Sequence, residues 1–325
     1  MLTRRDAIAG LTCGVSLLIS ACARAEVAYP NRLIKLVVPY PAGGTTDLLG
    51  RLIADRLKSA LAANVIVENK PGAATVLGAE QVARAEPDGY TLLMATSTTL
   101  AINRTLYKQL PYDPTAFAAV ALVAAVPFVL VINPALPART LADFIAYAKQ
   151  KPGLTYGSAG KGSPQHLGAE MLRAQAGIDI RHVPYRGSVP AMLDVIAGHI
   201  SFMVVDLQPA LQQIRDGKLR VLGVTTPKRV AAAPEIPTLA ESGLPGFELV
   251  AWQGVVAPSG TPRPVVERLA IEIGKFVSEE AAGGQFAALT LEPLPPSTPE
   301  SFAAYIRSEG DRWARIVKAA GIEPE

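Results

Sequence analysis

Val37-Val38-Pro39-Tyr40-Pro41-Ala42-Gly43-Gly44-Thr45-Thr46-Asp47 reads as a strand that runs through a glycine-rich turn into a helix. Leu48, Leu49, Leu52, Ile53 and Leu57 then recur on one helical face. The first N–H groups of a helix have no intrahelical acceptor, and the helix dipole is positive there. Gly43 and Gly44 let a ligand approach the backbone closely, and Thr45 and Thr46 add hydroxyls. The turn is therefore a candidate anion site. Asp47, in the first helical turn, has two readings: it complements the dipole and caps N–H groups, which is favoured, or it meets an ammonium on an amino-acid ligand.

The same device recurs about 120 residues later, in Tyr156-Gly157-Ser158-Ala159-Gly160-Lys161-Gly162-Ser163-Pro164-Gln165-His166. Gly157, Gly160 and Gly162 support a tight path, Ser163 stands at the N-cap and Pro164 at the first helical position. Two such turns predict two lobes that close on one small carboxylate or similar anion. The turn fits no nucleotide motif: a dinucleotide fingerprint needs glycine where Gln165 stands, and a P-loop needs Ser or Thr where Gly162 follows Lys161. Ser163 and His166 share a helical face, as a nucleophile pair would, but no orienting third group and no Gly-x-Ser-x-Gly elbow accompany them. His166, His182 and His199 are too scattered for a metal site, and nothing calls for a cofactor.

Strand and helix patterns alternate outward from these turns. Strands are expected near Ile34–Val38, Val65–Glu68, Thr91–Ala95, Thr155–Gly157, Arg181–Pro184, Ile200–Val205 and Leu219–Thr225. Helices are expected at Thr46–Ala60, Thr140–Lys151, Ser163–Ala176, Val189–Ala197, Leu207–Asp216 and Pro299–Ala320. Such alternation means an α/β protein with a mostly parallel sheet, whose ligands sit beyond the carboxyl ends of the strands. Ala95-Thr96-Ser97-Thr98-Thr99 brings more hydroxyls to that edge, and Arg186 and Asp206 end strands there. Two long apolar runs, Val120–Ile132 with Pro127 inside it and Leu249–Ala257, are candidate crossover strands between lobes. Residues 26–126 and 253–325 would then form lobe 1, and residues 127–252 lobe 2. The stretch Ala231–Pro245 reads as a surface loop.

Residues 1–25 have the layout of a secretory signal: Arg4 and Arg5, an uncharged run from Ala7 to Ala21, and small residues around Arg24. Thr3-Arg4-Arg5 resembles a twin-arginine signal, and Ile19-Ser20-Ala21-Cys22 a lipoprotein box that would tether the mature chain at Cys22. Cys13 and Cys22 are the only cysteines, so cleavage after Ala25 leaves no thiol for disulfide, nucleophile or metal. The full chain has 31 basic and 28 acidic residues; without Arg4, Arg5, Arg24 and Asp6 the balance is 28 to 27. Half of the chain is apolar and no basic run stands out, which argues against nucleic acid and anionic membrane surfaces as partners.

Further motifs carry a family resemblance. They are Tyr29-Pro30, the Val38–Gly44 turn with Asp47 and Arg51, Asn69–Ala73, Asp88–Thr91 and Tyr112–Pro114. Ser158–Gly160, Gly162–Leu167, Val183–Tyr185 with Gly187, and Trp252–Pro262 follow in order. Together they resemble the solute receptors of the tripartite tricarboxylate transporters, the Bordetella uptake gene group, over nearly the whole mature chain. The resemblance implies a two-lobed periplasmic-binding fold of type II kind and no catalysis. It further implies a monomer that closes on a carboxylated solute and delivers it to a two-subunit membrane permease. It assigns the carboxylate grip, partly through ordered waters, to Gly43, Gly44, Thr45 and Thr46 and to Gly160, Gly162 and Ser163. By the same mapping, Tyr40, Ser97, His166 and Asp206 line the pocket. Two departures stand out: Ala74 and Thr75 replace the family's usual glycines, and the acidic residue common at the position of Val205 is displaced to Asp206. The rival readings are a sensor receptor that signals to a membrane kinase and an exported hydrolase using Ser163 and His166.

Overall fold

The computed structural model describes residues 29–281 and 284–324. The signal reading of residues 1–25, Cys22 included, falls outside them. Residues 1–31 form a unit of their own, of which Tyr29–Asn31 are described, with the Tyr29-Pro30 peptide cis. Everything below concerns the second unit, residues 32–325.

The described strands are β1 (Ile34–Val38), β2 (Val65–Asn69), β3 (Thr91–Thr96), β4 (Ala118–Ile132), β5 (Leu154–Ser158), β6 (Ile180–Pro184), β7 (Phe202–Asp206), β8 (Arg220–Val224), β9 (Val250–Ala257) and β10 (Glu292–Pro293). They follow the order β2-β1-β3-β9-β4-β7-β5-β6, with β8 and β10 also on β4. β1 is parallel to β2 and β3, and β5 is parallel to β6 and β7. β9 runs antiparallel between β3 and β4.

The long apolar run that suggested a crossover is the 15-residue strand β4, and it changes partners half-way. Residues Ala118 to Pro127 pair with β9, and Phe128 to Ile132 pair with β7 and β8. The change falls where Pro127 can donate no ladder hydrogen bond. β9 lies wholly in the first set, and the chain enters it where the Leu249 N–H donates to Thr225 O at 2.9 Å.

Helices cover the sheet because their apolar residues repeat at helical spacing. The helix Thr45–Leu61 buries Leu49, Ile53, Leu57 and Leu61. The helix Pro299–Ala319, capped by Thr298, buries Phe302, Ile306, Trp313 and Val317. The indoles of Trp252 and Trp313 both donate to Glu309 Oε2 at 3.0 Å, which pins this helix to β9. Ala231–Pro245 differs from a surface loop. It has no long regular element, yet Ala233, Ile236, Leu239 and Leu244 are buried. Leu239 and Pro237 exchange backbone hydrogen bonds with Val224, so the stretch closes the core beyond β8. Among the described residues no helix is long and apolar enough to cross a membrane.

Candidate functional site

A cavity of about 240 Å³ opens at the carboxyl ends of β1, β3, β6 and β7, against the middle of β4 and the start of β9. Both sets of strands contribute to its wall. Four helices begin on it: Thr45–Leu61, Pro164–Ala176, Ser188–Ala197 and Leu207–Arg215. Their positive ends make it a place for negative charge. Its size is just below the usual range for drug-sized ligands, about 300–1,000 Å³, and suits a small metabolite. Val126, Phe128, Ala251 and Trp252 form its apolar wall.

The first glycine-rich turn reaches the cavity through Gly44, Thr45 and Thr46, with Tyr40 before them. Gly43 does not line it. The Gly43 N–H donates to Asp47 Oδ2 at 2.9 Å, so Asp47 caps its own turn. The remaining Asp47 bonds come from Arg51 Nε (3.0 Å) and Nη2 (3.1 Å) and from Asn69 Nδ2 (2.8 Å). Burial alone would raise the Asp47 carboxyl, but Arg51, the Gly43 N–H and Asn69 hold it below the ordinary range. Thr46 Oγ1 accepts from Gln253 Nε2 at 2.9 Å, and Thr45 Oγ1 donates to Asp206 Oδ2 at 3.4 Å.

The second turn spends most of its polar groups on itself. Ser163 Oγ donates to Gly160 O at 2.7 Å and accepts the His166 N–H at 3.3 Å, a helix cap. The Gly162 N–H donates to His166 Nδ1 at 3.0 Å. A Cβ at Gly162, whose φ is +76°, would come within 2.0 Å of Leu106 Cδ1, so only glycine fits. Gly162, Ser163 and His166 are not among the lining residues, and Gly160 lines a neighbouring cavity instead. What this helix presents to the 240 Å³ cavity is Pro164 and Gln165. Ser163 and His166 share no hydroxyl-to-imidazole hydrogen bond, because each side chain is already engaged within the turn. The His166 ring stacks on His182 at 4.1 Å, and His182 Nε2 shares a 2.7 Å hydrogen bond with Ser158 Oγ. Burial first, then the proximity of His182 and Lys161, pushes His166 down to about 3; burial pushes His182 down to about 4.

Asp206 and Arg186 are the charged residues that line the cavity. Arg186 is exposed at the rim. Asp206 is buried at 8% exposure and accepts from Gln165 Nε2 at 2.9 Å on Oδ1 and from Ser188 Oγ at 2.9 Å on Oδ2. Burial raises its carboxyl above the ordinary value, and the bonds from Ser188, Thr45 and Gln165 oppose that rise. Strand alternation explains the displacement noted in the sequence: Val205 points into the core, and the next residue points into the cavity. The phenol of Tyr40, partly exposed, is also raised by burial, and the nearby Thr98 and Thr96 hydroxyls oppose that rise.

Thus Tyr40, Gly44, Thr45, Thr46, Ser97 and Asp206 come together around one space. The sequence reading missed Gln165, Ser188 and Gln253. Gln253 has a visible signal, a lone amide inside the apolar run of β9. Four buried atoms of lining residues have no hydrogen-bond partner among the described residues: Ser97 Oγ, Thr98 Oγ1, Gln165 Oε1 and Gln253 Oε1. Buried polar atoms are rarely left so, and together they mark where a polar ligand would bond.

An adjoining cavity of about 660 Å³ shares Tyr40, Pro41, Arg186 and Gly187 with the first and reaches the turn Pro71–Thr75. Ala73, Ala74 and Thr75 have φ of 46°, 47° and 78°, so the turn keeps a glycine-type path without glycine at these positions. Thr75 Oγ1 holds it by accepting from Thr99 Oγ1 at 3.0 Å, and Asn103 Nδ2 donates to Ala74 O at 2.9 Å. Among the described residues, no group of three or more His, Cys, Asp or Glu side chains is placed to hold a metal ion.

Known proteins share this fold. The structure of Rpa4515 of R. palustris with adipate matches at TM-score 0.88 and 36% identity, covering 91% of this chain and 100% of that one. The periplasmic binding protein BugD matches at TM-score 0.85 and 34% identity, covering 91% and 100%. MatC (Rpa3494) from Rhodopseudomonas palustris with bound malate matches at TM-score 0.83 and 30% identity, covering 89% and 100%. The fold is that of these binding proteins. Residues 49–322 match the model of the tripartite tricarboxylate transporter family receptor. The chain belongs to the tripartite tricarboxylate transporter receptor family, whose members are solute-binding proteins.

Proposed function

We propose that this protein is an exported receptor that captures a small organic carboxylate in the 240 Å³ cavity and hands it to the membrane permease subunits of a tripartite transporter. The observation that carries the reading is the convergence of four helix N-termini on a space where Ser97, Gln165 and Gln253 have buried unpartnered atoms. The free N–H groups of Thr45 and Thr46 and the Ser97 hydroxyl would hold the anion. These donors are neutral, so no salt bridge holds the carboxylate end of the ligand. The ligands named for the related structures, adipate and malate, are both carboxylates.

Residues 32–126 with 250–281 and 284–324 act as one lobe and residues 127–249 as the other, the start of β9 going with the strands it pairs with. They hinge where β4 changes partners at Pro127 and where the chain passes from Thr225 to Leu249. Ligand bonds to both lobes would favour the closed form. Gly160, Gly162, Ser163 and His166 shape the second turn, so Gln165 can face the ligand. The mature receptor works as a periplasmic monomer, released after Ala25 or tethered at Cys22.

A thermal-shift screen of the mature chain against dicarboxylates, tricarboxylates, amino acids and aromatic acids tests this reading. A true ligand at a hundredfold excess over its dissociation constant stabilises the protein by about 2.7 kcal/mol. Stabilisation by neutral sugars or phosphate esters, and by no carboxylate, would contradict it.

A further inference from the structure

The cavity has an acceptor-rich end. Asp206 Oδ1 receives one hydrogen bond, from Gln165 Nε2, and keeps a second lone pair. The other atom of that amide, Gln165 Oε1, is buried with no donor among the described residues, on a side chain only 5% exposed. Both residues line the same space. Among the described residues no lysine or arginine bonds to Asp206, and Arg186, which lines the cavity, is exposed at the rim. A carboxylate and an amide oxygen side by side accept protons and offer none. An anion facing them would meet a like charge and an acceptor.

On this basis, and resting on the proposed role as a carboxylate receptor, we infer that the cavity selects carboxylates whose far end carries a hydrogen-bond donor, foremost an ammonium group, and rejects dicarboxylates of the same length. The ligand's carboxylate meets the Thr45 and Thr46 N–H groups and Ser97 Oγ, and its ammonium bonds to Asp206 Oδ1 and Gln165 Oε1, beside the point where the Thr45 hydroxyl reaches Asp206. The burial that raises the Asp206 carboxyl is relieved when a cation arrives beside it, so binding favours the ionised form. The preference separates this chain from the relatives whose structures carry adipate and malate.

The test is calorimetric titration of the mature protein with pairs matched in methylene count: β-alanine and succinate, 4-aminobutyrate and glutarate, 5-aminovalerate and adipate. Butyrate and valerate serve as donor-free monocarboxylates. At least one amino acid should bind tenfold or more tighter than both its dicarboxylate and the plain acid. Asp206→Asn should narrow that ratio at least tenfold, by weakening the amino acid and strengthening the dicarboxylate. If the dicarboxylates or plain acids bind as tightly as the amino acids, the inference is overturned while the receptor reading stands. If no carboxylate of any kind binds, both fall. Should Asp206→Asn not fold, the wild-type ranking decides by itself.

Discussion

Thr45 Oγ1 donates to Asp206 Oδ2 at 3.4 Å, joining the first helical turn after β1 to the end of β7, 161 residues further along. The two strands belong to different halves of the sheet, and the bond joins them at the cavity wall that both residues line. Thr45 thus serves both the anion-binding turn and the buried carboxylate that faces it. The properties of the site depend on how many donors this contact and its neighbours leave for a ligand.

Thr46→Val removes the oxygen that accepts from Gln253 Nε2 and orphans a buried amide. Such a loss costs about 1–3 kcal/mol. Affinity for the best carboxylate of the thermal screen should fall about tenfold by calorimetry. Unchanged affinity would place the ligand away from this turn.

Asp206 gives the ligand-free protein a distinctive pH response. Its folded carboxyl lies above the ordinary aspartate value, so the folded state binds the proton more tightly than the unfolded state. Its contribution is therefore favourable in acid and is lost as pH rises from the ordinary carboxylate range through the raised value. Asp206→Asn removes this slope and should be more stable than the wild type at neutral pH by denaturant titration. A less stable variant at pH 7 would contradict the assigned direction.

His166 and His182 act with the opposite sign. Both are depressed in the folded state, to about 3 and about 4, so their contribution is complete above the ordinary histidine value and is lost as pH falls below it. For His166 the loss approaches about 1.4 kcal/mol per pH unit below about 6.5, and less for the more exposed His182. Unfolding free energies at pH 7, 6 and 5 should fall in that order, and His166→Gln should flatten the series. Equal stability at pH 7 and pH 5 would mean that the pair is not buried neutral.

Ala74 stands at φ 47° without being a glycine. A left-handed conformation costs a residue with a Cβ about 1–2 kcal/mol, against a smaller entropic loss for glycine. Ala74→Gly should stabilise the protein by about 0.5–1 kcal/mol, measured as a higher denaturant midpoint at unchanged slope. A lower midpoint would show that the turn does not carry that strain.

Much of the fold was legible because short apolar strands and glycine turns are local signals. The strands at Ile34, Thr91 and Thr155 needed no long-range information, whereas the partner change in β4 depends on strands far away in the chain. The site was legible in part. That the turn after β1 faces a cavity follows from strand–turn–helix order, but which N–H groups remain free does not. Asp47 and His166 each reach back four residues to take an N–H from their own turn. Gln253 meets Thr46 across 207 residues, a contact no motif announces. The helix Val76–Ala83 lacks the usual start signal because its N-cap, Thr75, is left-handed rather than extended. Ala231–Pro245 looked like a surface loop because its prolines break every period, although its apolar side chains fill a core.

The position of a bound carboxylate in a crystal structure of the ligand complex tests the account most directly. The account predicts carboxylate oxygens within hydrogen-bond reach of the Thr45 or Thr46 N–H and of Ser97 Oγ, inside the 240 Å³ cavity. A ligand seated on the Pro71–Thr75 side of the adjoining cavity, with those donors left empty, would contradict it.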